Sequence, residues 1–279
     1  MITKNAMQLK ALIKNKAKEI NVAPQLVLQN YMLERLLERI SKSEYSDKFI
    51  IKGGFLLSSI VGLDTRATMD LDTTIKGFTL TKENLNSIVE EICSIEIEDD
   101  VTFEVLKIVD IREFDDYPGL RVFLNSTYPP MKVPLTIDVT TGDVITPREI
   151  KYNFSTMFDE DKIPVWTYTL ETVLAEKLET ILARGIANTR PRDYYDVYVL
   201  YKIKGDIIDY VLLKQALEAT TKKRRSEYVM NDYTTILEML KNSTEQINLW
   251  RKYQKSYPYA EEINYLDTCD AVEKVLNNL

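Results

Sequence analysis

The chain contains no histidine. That absence excludes Ser-His-Asp and Cys-His nucleophilic catalysis, His-ligated zinc and phosphohistidine chemistry. Chemistry has to run on carboxylates, lysines, hydroxyls and hard metal ions. Cysteine is scarce: Cys93 and Cys269 stand far apart and show no metal-ligand spacing. A disulfide framework is excluded, and a reducing, cytoplasmic compartment is expected. Long apolar runs are missing as well. No N-terminal stretch resembles a signal peptide, and none is long enough to span a membrane. There is no excess of positive charge. The net charge of −7 does not advertise a nucleic-acid binder, although net charge says little about local patches. What is present is ordinary globular material, 45% hydrophobic over 279 residues, enough for one large domain or two modest ones.

The chain is organised around Lys52 to Ile75. The apolar Phe49-Ile50-Ile51 predicts a strand that breaks at Lys52-Gly53-Gly54 into a tight turn. A short helix is expected over Phe55 to Val61, with backbone N–H groups at its start able to face an anion. In Asp70-Leu71-Asp72 the two acids stand two apart in a segment alternating with Met69, Leu71 and Ile75. Period two puts both carboxylates on one face of a strand. Like charges that close are costly unless a cation neutralises them. A phosphate-accepting turn beside two metal-ready carboxylates points to phosphoryl or nucleotidyl transfer.

Helices are expected over Met7 to Ile20 and Pro24 to Ile40, the second with an apolar face of Leu26, Met32, Leu33, Leu36, Leu37 and Ile40. Lys10, Lys14 and Lys18 make a basic stripe, read as a solvated face. After Thr81, an N-cap for a helix to Cys93, a β-rich zone follows. Strands are expected in Val101 to Ile111, Leu120 to Leu124 and Leu135 to Thr140, with an edge strand over Lys151 to Phe158 and Pro164 closing the zone. The acids between Glu90 and Asp116, among them Glu96, Glu98, Asp99, Asp100, Asp115 and Asp116, read as hairpin tips and solvent faces. From Thr169 the pattern turns helical: Thr169 to Ile186, Pro191 to Tyr201, Ile207 to Ala219, Tyr233 to Leu240, Ser243 to Tyr253 and Asp267 to Leu276. Lys222 to Arg225 read as a polar connection. The fold class is α+β, with a mixed-sheet domain over 1–165 carrying flanking helices and an all-α domain over 166–279.

Three further residue sets carry chemistry. Asp138, between Ile137 and Val139 in a strand-like run, points away from both. If its strand lies near Asp70 and Asp72, three carboxylates converge as Mg²⁺ or Mn²⁺ ligands. In the helix from Thr169, Leu170, Val173, Leu174, Leu178 and Ile181 form an apolar stripe, and Lys177 falls near its middle, with Arg184 towards the same face. A buried ammonium is costly unless paired, so Lys177 either snorkels past the core edge or projects into a polar cleft. The cleft is the favoured reading. In Arg190-Pro191-Arg192-Asp193-Tyr194-Tyr195-Asp196, the two acids are i,i+3 neighbours on the apolar side of a helix. They suit the helix dipole. One of them could also fix Lys177, orient an acceptor hydroxyl or act as general base.

Taken together, Lys52-Gly53-Gly54, Arg66-x-Thr68-x-Asp70-x-Asp72, Asp138, Ala175-Glu176-Lys177-Leu178 and Arg192-Asp193-x-x-Asp196 resemble the AbiEii/AbiGii nucleotidyltransferase toxins of type IV abortive-infection toxin–antitoxin systems. The resemblance runs from about Phe49 to Leu200. It implies a polymerase β-like nucleotidyltransferase domain, a helical domain and an active site in a cleft between them. It also implies Mg²⁺, a nucleoside triphosphate (GTP in some members), a tRNA acceptor and a cognate antitoxin. Lys52, Gly53, Gly54, Arg66 and Thr68 fall on the nucleotide side, Asp70 and Asp72 on the metal, Lys177 on the phosphates, and Asp193 or Asp196 completes the site. Two departures stand out: Gly53-Gly54 replaces the usual Gly-Ser, and Thr68 stands where Ser is frequent. The expected function is a cytoplasmic nucleotidyltransferase toxin. The alternatives are a phosphotransferase acting on a protein partner and a non-catalytic nucleotide-binding module.

Overall fold

The computed structural model describes residues 5–66, 68–111 and 119–279. The chain forms two compact units. One holds the chain up to Asp143 together with Ile150–Thr167; the other holds Val144–Glu149 and Tyr168–Leu279.

The first unit begins with two helices, α1 (Ala6–Glu19) and α2 (Pro24–Lys42). Asn5 caps α1 by accepting from Gln8 N–H, and Pro24 opens α2, where its missing N–H costs nothing. Lys10, Lys14 and Lys18 are exposed on α1. Then come β1 (Phe49–Lys52), α3 (Gly53–Val61), β2 (Asp70–Ile75), α4 (Lys82–Ser94), β3 (Thr102–Ile111), β4 (Gly119–Tyr128), β5 (Met131–Thr141), β6 (Ile150–Ser155) and β7 (Lys162–Thr167). Thr81 caps α4 as its sequence position implies. Among the described residues the strands form one mixed seven-stranded sheet in the order β3-β4-β5-β2-β1-β7-β6. The β2–β5 and β1–β7 pairs are parallel and the others antiparallel.

The sheet has one apolar and one polar face through β4, β5 and β2. Val122 and Leu124, Ile137 and Val139, and Leu71 are buried on one side. Arg121 and Phe123, Thr136 and Asp138, and Asp70 and Asp72 alternate with them and point to the other. Met32, Leu33, Leu36 and Leu37 of α2 are fully buried, and this helix packs on β5 and β7. Such side chains each contribute about 2 kcal/mol by leaving water.

Two sequence expectations about the first unit are corrected here. Pro164 does not close the β zone but lies inside β7, opposite Asn153 of β6. Only Trp166 and Thr167 of that strand have register partners in β1, so the proline sits beyond the β1-paired segment, where its missing N–H is tolerated. Asp99 is no solvent-facing acid. It is buried, and its carboxylate takes two hydrogen bonds from the Arg39 guanidinium at 2.8 and 2.9 Å. Breaking so buried a pair costs about 3–5 kcal/mol. Asp115 and Asp116 lie outside the described residues.

The second unit is helical: α5 (Leu170–Arg184), α6 (Pro191–Lys204), α7 (Tyr210–Arg224), α8 (Val229–Lys241), α9 (Thr244–Ser256) and α10 (Tyr265–Asn277). Thr169, Asp209 and Ser243 cap α5, α7 and α9 through their side-chain oxygens. Thr169 and Thr172 also bind the Thr146 carbonyl, which ties the 144–149 segment to the start of α5. Lys222, Lys223 and Arg224 are not a loop; they form the last turn of α7, where cations suit the helix dipole, and Arg225 ends it in left-handed geometry. Arg224 pairs with Glu176 and Glu179 of α5.

Candidate active site

In the first unit the site is built by strand register. Lys52 of β1 lies opposite Asp72 of β2, Asp72 opposite Asp138 of β5, and Asp138 opposite Arg121 of β4. Four neighbouring strands thus carry a row of charges in the order plus, minus, minus, plus. Asp70 lies two residues from Asp72 on the same face, beside Thr136.

The Gly53-Gly54 turn is shaped by the second carboxylate of that strand. Gly53 has φ +63°, and a Cβ there would stand 2.1 Å from Asp72 Oδ2. A Cβ on Gly54 would stand 2.8 Å from Thr68 Oγ1 and 3.2 Å from the Arg66 guanidinium. The Gly54 N–H donates to Asp72 Oδ2 at 3.2 Å, so this early helical N–H already serves an anion, a carboxylate of the protein itself. Two side chains of α2 secure the approach to β2. Asn30 donates to the Thr68 carbonyl at 2.8 Å and Gln29 to the Met69 carbonyl at 3.0 Å.

Each end of the charge row is paired. Lys52 is buried, donates to Thr140 Oγ1 at 2.7 Å and forms an ion pair with Asp143. Arg121 grips Asp138 with both arms, Nε to Oδ1 and one terminal nitrogen to Oδ2, each at 2.7 Å. Those hydrogen bonds hold the guanidinium pKa above its ordinary value, and the charges of Asp138, Asp70 and Asp72 push the same way. Among the described residues no three acidic or thiol groups are gathered into a metal cage. Mg²⁺ does not require one: it is usually held by one or two carboxylates plus substrate phosphates and water. Asp70 and Asp72, hard oxygen donors beside a glycine turn that any Cβ would fill, fit that mode.

In the second unit Lys177 lies on α5 between the buried Val173 and Ile181. It does not snorkel. Its Nζ meets Asp193 Oδ1 at 2.7 Å and Asp196 Oδ2 at 2.8 Å, with both carboxylates almost wholly buried. The i,i+3 spacing on α6 is what lets both acids reach one ammonium. Arg190 Nε adds a contact to Asp193 Oδ2 at 3.1 Å. Arg192 turns to Tyr257, donating to its hydroxyl at 2.8 Å and covering its ring. Arg184, expected near the same stripe, is exposed at the end of α5.

A profile of nucleotidyl transferase AbiEii toxins, type IV toxin–antitoxin systems, matches residues 35–278. The chain belongs to the AbiEii family. Among solved structures, JHP933 from Helicobacter pylori aligns with a TM-score of 0.51 and 14% identity, covering 91% of this chain and 93% of that one. A candidate nucleotidyltransferase from H. pylori aligns with the same score and identity over 92% and 96%. At that identity the likeness speaks for the fold. A comparison with curated proteins gives no match.

For this AbiEii nucleotidyltransferase, the structure brings Lys52, Asp72 and Asp138 into one register row, with Gly53 closed against Asp72, Gly54 against Thr68 and Arg66, and Asp70 two residues from Asp72. Separately, it gathers Lys177, Asp193 and Asp196. Arg121 and Asp143 were not anticipated. The signal for Arg121 was available, because it is the one charged residue of β4 and falls on the polar phase of that strand. For Asp143 there was only its place just after the Asp138 strand. No helix among the described residues is long and apolar enough to cross a membrane.

Proposed function

We propose that this AbiEii-family transferase moves a nucleoside monophosphate from a nucleoside triphosphate, GTP among the candidates, to the 3′ end of a tRNA, with Mg²⁺ or Mn²⁺ as cofactor. The observation that carries this reading is the pair Asp70 and Asp72 on one strand face, with the Gly53-Gly54 turn closed against Asp72. Asp70 and Asp72 are the residues that hold the cation, and Asp138, register partner of Asp72, is the third acid of the row. When bound, a divalent cation neutralises triphosphate charge and makes the acceptor hydroxyl easier to ionise.

The remaining roles belong to the chain. Gly53, Gly54, Thr68 and Arg66 border the triphosphate, and Lys52 is held in place by Asp143 and Thr140. In the second unit Lys177 is a cation suited to a phosphate, with Asp193 and Asp196 fixing its ammonium. The acceptor oxygen forms its bond to the α-phosphorus as the bond from that phosphorus to pyrophosphate breaks, and the hydroxyl proton passes to water. Catalysis of this kind is positioning and charge neutralisation.

The test is incubation with each α-labelled triphosphate, Mg²⁺ and total cellular RNA. Label in the tRNA fraction, lost in a folded Asp70→Asn variant, supports the reading. Full transfer and full toxicity in Asp70→Asn would sink it. A mass gain of one phosphate on a protein, in place of a nucleotide on RNA, would replace it with phosphotransfer.

A further inference from the structure

The charge row points to a residue outside the motifs that carry the family resemblance. Asp72 and Asp138 are register partners on adjacent parallel strands, and strands in a sheet lie about 4.8 Å apart. Two carboxylates so placed repel unless each has a counter-charge. Arg121 supplies one for Asp138 and occupies both of its oxygens. As long as that grip lasts, a guanidinium takes one lone pair on each Asp138 oxygen, and its positive charge opposes a second cation there beside Asp70 and Asp72. The grip is not a core interaction: the Arg121 side chain is 39% exposed and that of Asp138 18%. The arginine side of the pair is open to water, so another cation can approach the carboxylate it holds. A doubly charged ion held beside two further carboxylates is therefore a credible competitor for Asp138.

We propose that Arg121 is a positioning residue that holds Asp138 in the metal-poor state, and that a second divalent cation has to displace it to fill the site. The proposal rests on the reading of Asp70 and Asp72 as metal-binding acids. Arg121 then sets the metal concentration at which the site fills, and replacing it makes Asp138 available at lower concentration. The effect runs through Asp138 alone, which separates it from the general pull of removing a positive charge.

The experiment is a Mn²⁺ titration of the purified protein, with the free ion counted by electron paramagnetic resonance, for the unaltered chain, Arg121→Gln, Asp138→Asn and the double variant. Circular dichroism melts confirm folding of each. Arg121→Gln should tighten the weaker Mn²⁺ site on the order of tenfold, the scale of a charge-assisted bidentate pair, and the gain should vanish in Arg121→Gln/Asp138→Asn. Arg121→Lys keeps the charge and loses the fork, so it should fall between. Unchanged Mn²⁺ binding in Arg121→Gln overturns the proposal. So does a gain that survives Asp138→Asn, or the lack of a second Mn²⁺ in every variant. If triphosphate label is transferred while Mn²⁺ binding ignores Arg121, this proposal falls and nucleotidyl transfer stands. If Arg121→Gln tightens Mn²⁺ through Asp138 and no triphosphate is ever transferred, the reverse holds.

Discussion

Gly53 and Asp72 are packed so closely that one methyl group cannot be added between them: a Cβ on Gly53 would meet the Asp72 carboxylate oxygen at 2.1 Å. Gly53→Ala therefore combines left-handed strain, roughly 1–3 kcal/mol, with displacement of the Asp72 carboxylate. The expected outcome is a loss of nucleotide transfer of at least about tenfold, the scale of one displaced contact, with modest loss of stability in urea. Gly185→Ala is the control, because Gly185 also has positive φ (+50°) but nothing within 4 Å of its added Cβ. It should show the strain and keep the transfer activity. Equal activity in both variants would show that the Gly53–Asp72 contact has no part in the site.

Lys177→Met leaves Asp193 and Asp196 buried without the cation that joins them. The expected destabilisation at pH 7 is about 3–5 kcal/mol. Urea denaturation of the two proteins at pH 7 measures that deficit. A deficit near zero would argue against the buried Lys177–Asp193–Asp196 cluster as a stabilising contact.

Glu34 on α2 gives a pH response. Its carboxylate accepts from Arg35 at 2.5 Å and from the Met157 N–H at 2.7 Å. Burial is nevertheless the largest influence and pushes its pKa from 4.5 to about 7, against the pull of Arg35. The folded chain thus binds this proton more tightly than the unfolded chain. The contribution is complete below about pH 4.5 and declines as pH rises towards 7, on the order of 3 kcal/mol in all. Glu34→Gln should flatten the fall in melting temperature between pH 5 and pH 7.5. Parallel profiles for the two proteins would remove Glu34 as the source.

Both thiols should be silent. Burial pushes Cys93 up to about 12 and Cys269 up to about 11, so little thiolate exists near neutrality. A disulfide reagent at pH 7.5 should leave both unmodified in the native protein and label both in guanidinium. Rapid native labelling of either would show that burial does not suppress its thiolate.

How much of this was legible in the sequence depends on how far each residue's partner lies along the chain. Asp70 and Asp72 could be placed on one strand face because period two is a local property. Lys177 stood out because a charge inside an apolar helical stripe is a local anomaly, and its partners were named from their own helical spacing. Asp99 was read as solvent-facing because its partner Arg39 is 60 residues away and nothing near Asp99 announces burial. Arg121 escaped for a related reason. Its meaning is a matter of register, and only the pairing of β4 with β5 puts it opposite Asp138. Pro164 misled in the other direction, since a proline normally ends a strand and here occupies a stretch of β7 beyond its β1 partners.

The short segment 144–149 has a consequence for how such a chain can be cut and recombined. It leaves the sheet after β5, is fastened by the Thr146 carbonyl to the threonines at the head of α5, and returns to begin β6. The path therefore alternates between units three times, and no single crossover in a gene can exchange one unit and keep the other whole. A hybrid joined at residue 168 would carry a foreign hexapeptide under its own α5 cap. Exchanging one unit whole takes three junctions, after residues 143, 149 and 167.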